Sequence, residues 1–174
     1  MKIAITGKMC SGKSTIANMI QQLDNEYNTY SYGQKIKDIA VDLFNMRNKD
    51  RTLLINIASK LREIDEDVWS KYIVNKTRYK KKCIIDDLRF QNELDMLDDT
   101  WKIIRLTINP EDQIERIRKI YPDNYEDHYR NMGHNSEKAN LDLSRRDVIL
   151  DINTSEENYD QIKHKLFLLI AKSN

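Results

Sequence analysis

The clearest chemistry in this 174-residue chain sits near its start, in Gly7-Lys8-Met9-Cys10-Ser11-Gly12-Lys13-Ser14-Thr15. The stretch fits G-x-x-x-x-G-K-[ST], a spacing in which two glycines let the backbone curl around an anion and successive N–H groups face it. Lys13 adds a mobile positive charge, Ser14 offers its hydroxyl to Mg²⁺, and the helix that opens here adds its positive end. A chain of this composition meets the four fixed positions by chance on the order of once in a thousand sequences. Gly7, Lys8, Met9, Cys10, Ser11, Gly12, Lys13, Ser14 and Thr15 therefore form the expected phosphate cradle. Cys10 reads as a loop residue offering its backbone N–H, not as a redox centre.

A second group of reactive side chains follows the apolar run Cys83-Ile84-Ile85. Asp86 and Asp87 end that run, at the edge where ligands bind in open α/β sheets, so one carboxylate can orient Mg²⁺ water while its neighbour meets an acceptor or a cation. Side-chain alternation sends them opposite ways and leaves the division of labour open. Capping a helix that starts near Phe90 is the competing use of these carboxylates. Arg89 can fork onto a monophosphate with two parallel hydrogen bonds, which lysine cannot reproduce. Arg62 lies beside the apolar stripe Leu54, Ile57, Leu61 and Ile64, and reads equally as a phosphate ligand at the rim of that helix or as a solvated charge. Trp69 and Tyr72 offer stacking faces, although burial is the commoner fate of such aromatics.

These groups need a scaffold. Short Ile-rich runs at residues 3–5, 83–85, 103–108 and 148–150 read as strands, with Tyr30 to Tyr32 a weaker fifth. Between them run helical periods: Ile16, Ile20 and Leu23; Ile36, Ile39, Ala40 and Leu43; the Leu54 stripe; Ile114, Ile117 and Tyr121; and Tyr159, Ile162, Leu166 and Leu169. Alternating strands and helices predict an α/β fold with a parallel sheet covered on both faces. Asn109-Pro110 marks one helix start, and Thr154 with Glu157 predicts a capping box for the last.

The segment Asp86-Asp87-Leu88-Arg89-Phe90-Gln91-Asn92-Glu93 resembles the D-x-R-F-x-N-E stretch of deoxynucleoside monophosphate kinases of phages and large DNA viruses. His134-Asn135-Ser136-Glu137 resembles their H-x-S-E element. With the phosphate loop, Lys35-Ile36-Lys37, and Leu61 to Asp65 followed by Trp69, the similarity covers roughly residues 1–153. The resemblance implies a three-layer P-loop kinase fold in one domain, with a five-stranded parallel sheet in the order 2-3-1-4-5 and a small helical lid within 111–140. It also implies ATP and Mg²⁺ as cofactors, the metal near Ser14 and Asp86, and a nucleoside monophosphate as substrate. On this reading Lys13, Asp86, Asp87 and Arg89 carry catalysis, and Tyr32, Lys37, Arg62, Trp69, Arg89 and Glu93 meet the acceptor. Arg116, Arg130, His134 and Glu137 belong to the lid, and Arg145 and Asn153 lie on the adenine side. His128 and His134, six apart, read as hydrogen-bonded loop residues rather than as metal ligands.

Composition narrows the alternatives. With 29 Lys plus Arg against 28 Asp plus Glu, there is no overall field to draw the chain onto nucleic acid or an anionic membrane. No apolar run approaches a bilayer span and no leader is legible, so the expected location is cytoplasmic, the host cytoplasm for a viral protein. Asn75-Lys76-Thr77-Arg78 lacks the Asp of a guanine-reading Asn-Lys-x-Asp motif, and the length is small for a translocating motor. A kinase of another small phosphorylated acceptor, of the phosphomevalonate type, and a silent nucleotide-binding module remain the rival readings. The sequence leaves a homodimer open.

Overall fold

The computed structural model describes residues 1–133 and 140–172. Five strands, β1 (Lys2–Thr6), β2 (Asn28–Tyr30), β3 (Cys83–Leu88), β4 (Trp101–Thr107) and β5 (Val148–Asn153), form one sheet in the order β2-β3-β1-β4-β5. All four pairings are parallel. This is the expected α/β architecture and strand order. Among the described residues the α-helices are α1 (Lys13–Leu23), α2 (Tyr32–Phe44), α3 (Arg51–Ile64), α4 (Val68–Thr77), α5 (Gln91–Asp95), α6 (Pro110–Ile120), α7 (Tyr125–Arg130) and α8 (Tyr159–Ala171).

The central strands are apolar on both sides because each side is roofed by helices. Ala4, Ile85 and Ile103 face a layer built from Ile36, Ala40, Ile57, Trp69 and Ile73 of α2, α3 and α4. Ile3, Ile5, Ile84 and Ile104 face the other layer, where Ile16 and Ile20 of α1 meet Ile162 and Leu166 of α8. Ile3, Ile5, Ile84, Ile85, Ile103 and Ile104 are fully buried, each contributing about 1.5–3 kcal/mol by leaving water. That interior holds the strand ends still, and the strand ends carry the site.

Four boundaries differ from the sequence expectation. β2 ends at Tyr30, two residues early, because Ser31 flanks α2 and Tyr32 already belongs to it. β3 and β5 run beyond their apolar cores to Leu88 and Asn153, since backbone pairing continues where side chains turn polar. The last helix is capped by Asn158, whose side chain accepts from Gln161 N at 3.0 Å while Gln161 Oε1 accepts from Asn158 N at 2.9 Å. Thr154 is unavailable for that role because its N–H still donates to Thr107 O at 2.9 Å, prolonging the β4–β5 ladder.

The register of β3 against β1 holds a further feature. Ala4 pairs with Ile85 but Thr6 pairs with Leu88, so the single step at Ile5 faces two residues, Asp86 and Asp87. Such a bulge re-aims side chains at a sheet edge. Among the described residues no helix is long and apolar enough to cross a membrane.

Candidate active site

β1 delivers the chain into the phosphate loop and α1 takes it away. Gly7 has φ +153°, and a Cβ there would stand 2.7 Å from Ser11 Oγ and 2.8 Å from Leu106 O. Gly12 has φ +96° and immediately precedes α1, in backbone territory that side chains avoid. Lys13 is buried, and its Nζ donates to Gly7 O and Lys8 O at 2.7 Å each, folding the charge back onto the loop's own carbonyls. Ser11 Oγ is buried inside the loop with no hydrogen-bond partner.

The outside of the loop is braced by α6. Gln113 Nε2 donates to Met9 O at 2.9 Å, and Arg116 donates to Cys10 O at 3.3 Å. Arg116 also reaches Thr154 Oγ1 at 3.1 Å and Thr154 O at 2.5 Å, tying the loop to the end of β5. Gln113 was absent from the sequence expectation. Its signal is a polar residue four positions before fully buried Ile117, on the inward face of α6.

Asp86 and Asp87 point to opposite layers. Asp86 Oδ2 accepts from Ser14 Oγ at 3.0 Å, and burial, reinforced by Asp87, raises its pKa against the opposing pull of Ser14, Lys13 and Lys37. A Mg²⁺ ion fits this pair: both donors are hard oxygens, and the cation would stabilise the carboxylate that burial disfavours. Among the described residues no cluster of three or more His, Cys, Asp and Glu is present, so the remaining ligands would be phosphate oxygens and water. Asp87 instead caps α2. Its Oδ1 accepts from Tyr32 N at 2.8 Å, and its Oδ2 accepts from Gly33 N at 2.7 Å and from Ser31 Oγ at 2.6 Å.

One cavity of about 710 Å³ joins these parts. The phosphate loop, Ser14 and Asp86 line it, and so do Lys37, Lys49, Arg51, Arg62 and Arg89, together with the apolar side chains of Ile36, Leu54, Ile55 and Ala58. Arg62 Nη2 donates to Glu93 Oε1 at 3.2 Å and its guanidinium lies 4.2 Å from the centre of the Phe90 ring. Burial lowers the Arg62 pKa, which Glu93 opposes. Tyr32 also lines the cavity; its hydroxyl is buried and unpaired, and burial raises its pKa.

Several expected residues are placed elsewhere. Trp69 does not line the cavity: it is 3% exposed in the core, its Nε1 donating to Ala58 O at 3.2 Å. Arg130 is exposed and paired with Glu126 at 3.1 Å, outside the cavity lining. Arg145 is exposed on the loop before β5, and Asn153 shapes the turn after that strand by accepting from Ser155 N at 3.1 Å; neither lines the cavity. Thr154 and Glu157 stand there instead. His134 and Glu137 lie outside the described residues.

The stretch expected to form a lid is attached on two sides. α6 is anchored to the phosphate loop, while α7 is tied to the start of α3. Asp127 accepts from Arg51 N at 3.0 Å and Thr52 Oγ1 at 2.6 Å, Asn124 Nδ2 donates to Lys49 O at 2.8 Å, and Lys49 Nζ donates to Tyr121 OH at 2.8 Å. His128 stacks on Tyr121 at 3.8 Å between ring centres, and burial pushes its pKa down. Lys49 and Arg51 fall outside the sequence expectation for the cavity, because they stand in the connection before α3 and at its first residue, whose place is set by these distant partners.

Comparison with known proteins follows the same lines. No curated protein sequence matches the chain. Among solved structures, shikimate kinase from Aquifex aeolicus shares 18% identity at a TM-score of 0.51, covering 99% of this chain and 98% of that one. A gluconokinase from Sinorhizobium meliloti shares 12% identity at a TM-score of 0.57, covering 99% and 92%. The YorR protein of Bacillus subtilis, in complex with phosphorylated GDP, shares 14% identity at a TM-score of 0.52, covering 99% and 97%. These likenesses establish the P-loop kinase fold. A family model matches residues 3–139, across the phosphate loop, β3 and its aspartates, and α6, and by that match the chain belongs to the AAA domain family AAA_18.

Proposed function

We propose that this protein is a phosphotransferase that moves the γ-phosphoryl group of ATP onto a (deoxy)nucleoside monophosphate. The observation that carries the reading is that one cavity is lined by the phosphate loop, by Lys37, Arg62 and Arg89, and by the apolar side chains of Ile36, Leu54, Ile55 and Ala58. A neutral acceptor gives no reason to gather so many cations, whereas a phosphomonoester on a flat, largely apolar body accounts for both the charge and the apolar lining. The motif from Asp86 to Glu93 supports the nucleotide as that body.

In the reaction an acceptor phosphate oxygen attacks the γ-phosphorus, the bond to the β–γ bridging oxygen breaks, and ADP and the nucleoside diphosphate leave. The protein's part is to align two anions and neutralise charge on the moving group. Lys13 would leave the loop carbonyls for phosphate oxygens, and Ser14 with Asp86 would hold Mg²⁺, which supplies charge neutralisation at the phosphates. Arg89 and Arg62 would hold the acceptor phosphate, while Asp87 keeps α2, and with it Tyr32 and Lys37, in register with β3.

The direct test is a coupled ADP-release assay across the common ribo- and deoxyribonucleoside monophosphates, with shikimate, gluconate and phosphomevalonate as comparators. Turnover stimulated by one or more nucleoside monophosphates is expected. Stimulation only by a comparator, or by none of the compounds, would overturn the reading.

A further inference from the structure

Glu93 is 2% exposed, a rare position for a carboxylate. Its Oε2 accepts from the backbone N–H of Arg89 at 3.0 Å and of Phe90 at 3.1 Å, and its Oε1 accepts from the Arg62 guanidinium at 3.2 Å. Phe90 closes the other side of that guanidinium. One buried carboxylate thus touches the backbone that aims Arg89 and the side chain of Arg62, which stands 31 residues away in sequence.

Stability does not explain the arrangement, because a buried ion pair returns little more than its own desolvation cost and an apolar residue would pack α5 as well. The neighbouring residue shows the same tie. Asn92 Nδ2 donates to Glu66 O at 3.2 Å and Asp67 Oδ1 at 3.0 Å, so the start of α5 is fastened twice to the end of α3 and the turn beyond it. Both arginines and Glu93 line the same cavity as the phosphate loop.

We propose that Glu93 is a positioning residue that locks Arg62 of α3 and Arg89 of the β3–α5 turn into one rigid, two-armed anion clamp for the acceptor phosphate. The proposal rests on the acceptor reading above, and it changes the role of Glu93 from a substrate ligand to the part that sets the spacing of two ligands. Binding an anion with one arginine side chain already held and a second arginine fixed at its backbone avoids part of the ordering cost, so the clamp acts on acceptor affinity and alignment and leaves ATP binding untouched.

The test compares the wild-type protein with Glu93→Gln, which preserves volume but presents an amide where three donors converge, and Glu93→Asp, which keeps the charge and shortens its reach. Each variant is first checked for a cooperative thermal transition, and Glu93→Asp carries the test should the glutamine variant fail to fold. The expected result is an acceptor KM raised about tenfold or more with an unchanged ATP KM, and a double variant with Arg62→Ala that is little worse than either single one. An unchanged acceptor KM, equal changes in both KM values, or full additivity with Arg62→Ala would overturn the clamp.

A second readout does not depend on turnover. The rate at which phenylglyoxal modifies Arg62, followed by peptide mass spectrometry, should rise several-fold in both variants as the guanidinium is released; equal rates in wild type and variants would overturn the proposal. Were the wild-type protein to phosphorylate no nucleoside monophosphate, the acceptor reading would fall, and the Arg62 modification rates would still decide whether Glu93 holds the clamp.

Discussion

Ser14 and Asp86 stand 72 residues apart in sequence and meet at 3.0 Å, the hydroxyl at the start of α1 donating to the carboxylate on the bulge of β3. The contact joins the first turn of the phosphate loop's helix to the strand that leads into Arg89, three residues farther on. It also separates two adjacent carboxylates by function, since Asp87 turns to the opposite layer and is fully occupied with the start of α2.

Replacing Asp86 with Asn should therefore lower Mg²⁺-supported turnover on the order of 10²- to 10³-fold while leaving the fold intact, because the variant loses a charged oxygen donor and no core contact. Steady-state rates across a Mg²⁺ titration check this. Near-wild-type turnover at every Mg²⁺ concentration would show that the metal is held elsewhere.

Asp87→Ala should act first on stability. It frees two backbone N–H groups at the start of α2 and the Ser31 hydroxyl, a loss of about 1–2 kcal/mol, or a fall of roughly 2–8 °C in the melting midpoint. Acceptor KM should rise as Tyr32 and Lys37 lose their register with β3. A calorimetric scan with parallel kinetics separates the two effects.

Lys13→Ala and Arg89→Ala should differ in kind. Loss of Lys13 removes charge neutralisation from the transferred group and lowers kcat by orders of magnitude, whereas loss of Arg89 falls mainly on the acceptor KM. Varying each substrate at saturation of the other distinguishes them, and equal small effects on both constants would contradict the assigned roles.

Burial raises the Glu93 pKa to about 7 from an ordinary value of 4.5, against the opposing bonds from Arg89 N, Phe90 N and the Arg62 guanidinium. Asp87 on β3 adds to the rise, and the Tyr32 hydroxyl faces the same carboxylate from α2. Between those two values the folded state binds more protons than the unfolded one, so this group's contribution is fully present below pH 4.5 and is lost as pH rises through about 7. Stability should fall across that window by on the order of 1–3 kcal/mol and then level off. Urea titrations of wild type and Glu93→Gln at several pH values check the sign, since the variant should lose this component.

Trp69→Phe should leave acceptor selectivity unchanged and cost about 1 kcal/mol of stability, because the indole serves the core and its N–H is spent on Ala58 O. A changed order of preference among nucleoside monophosphates would place Trp69 back at the substrate.

The sequence by itself determined the helix-covered parallel sheet and the phosphate loop, and the strand order followed only from its family resemblance. Ile-rich runs buried on both faces admit only a helix-covered parallel sheet, and a loop of fixed glycine spacing forms its site from its own backbone. It also placed Asp86, Asp87 and Arg89 at the end of a strand. What tertiary structure alone decided was how those groups are used. The bulge at Asp86 and Asp87 arises from pairing with β1, Lys49 and Arg51 reach the cavity because α7 fastens the start of α3, and Glu93 meets Arg62 only because α5 docks on α3. Trp69, between Val68 and Ser70 in the sequence, is core for the same reason: a side chain's neighbours along the chain set its local conformation, whereas burial and partnership depend on elements that arrive from far away.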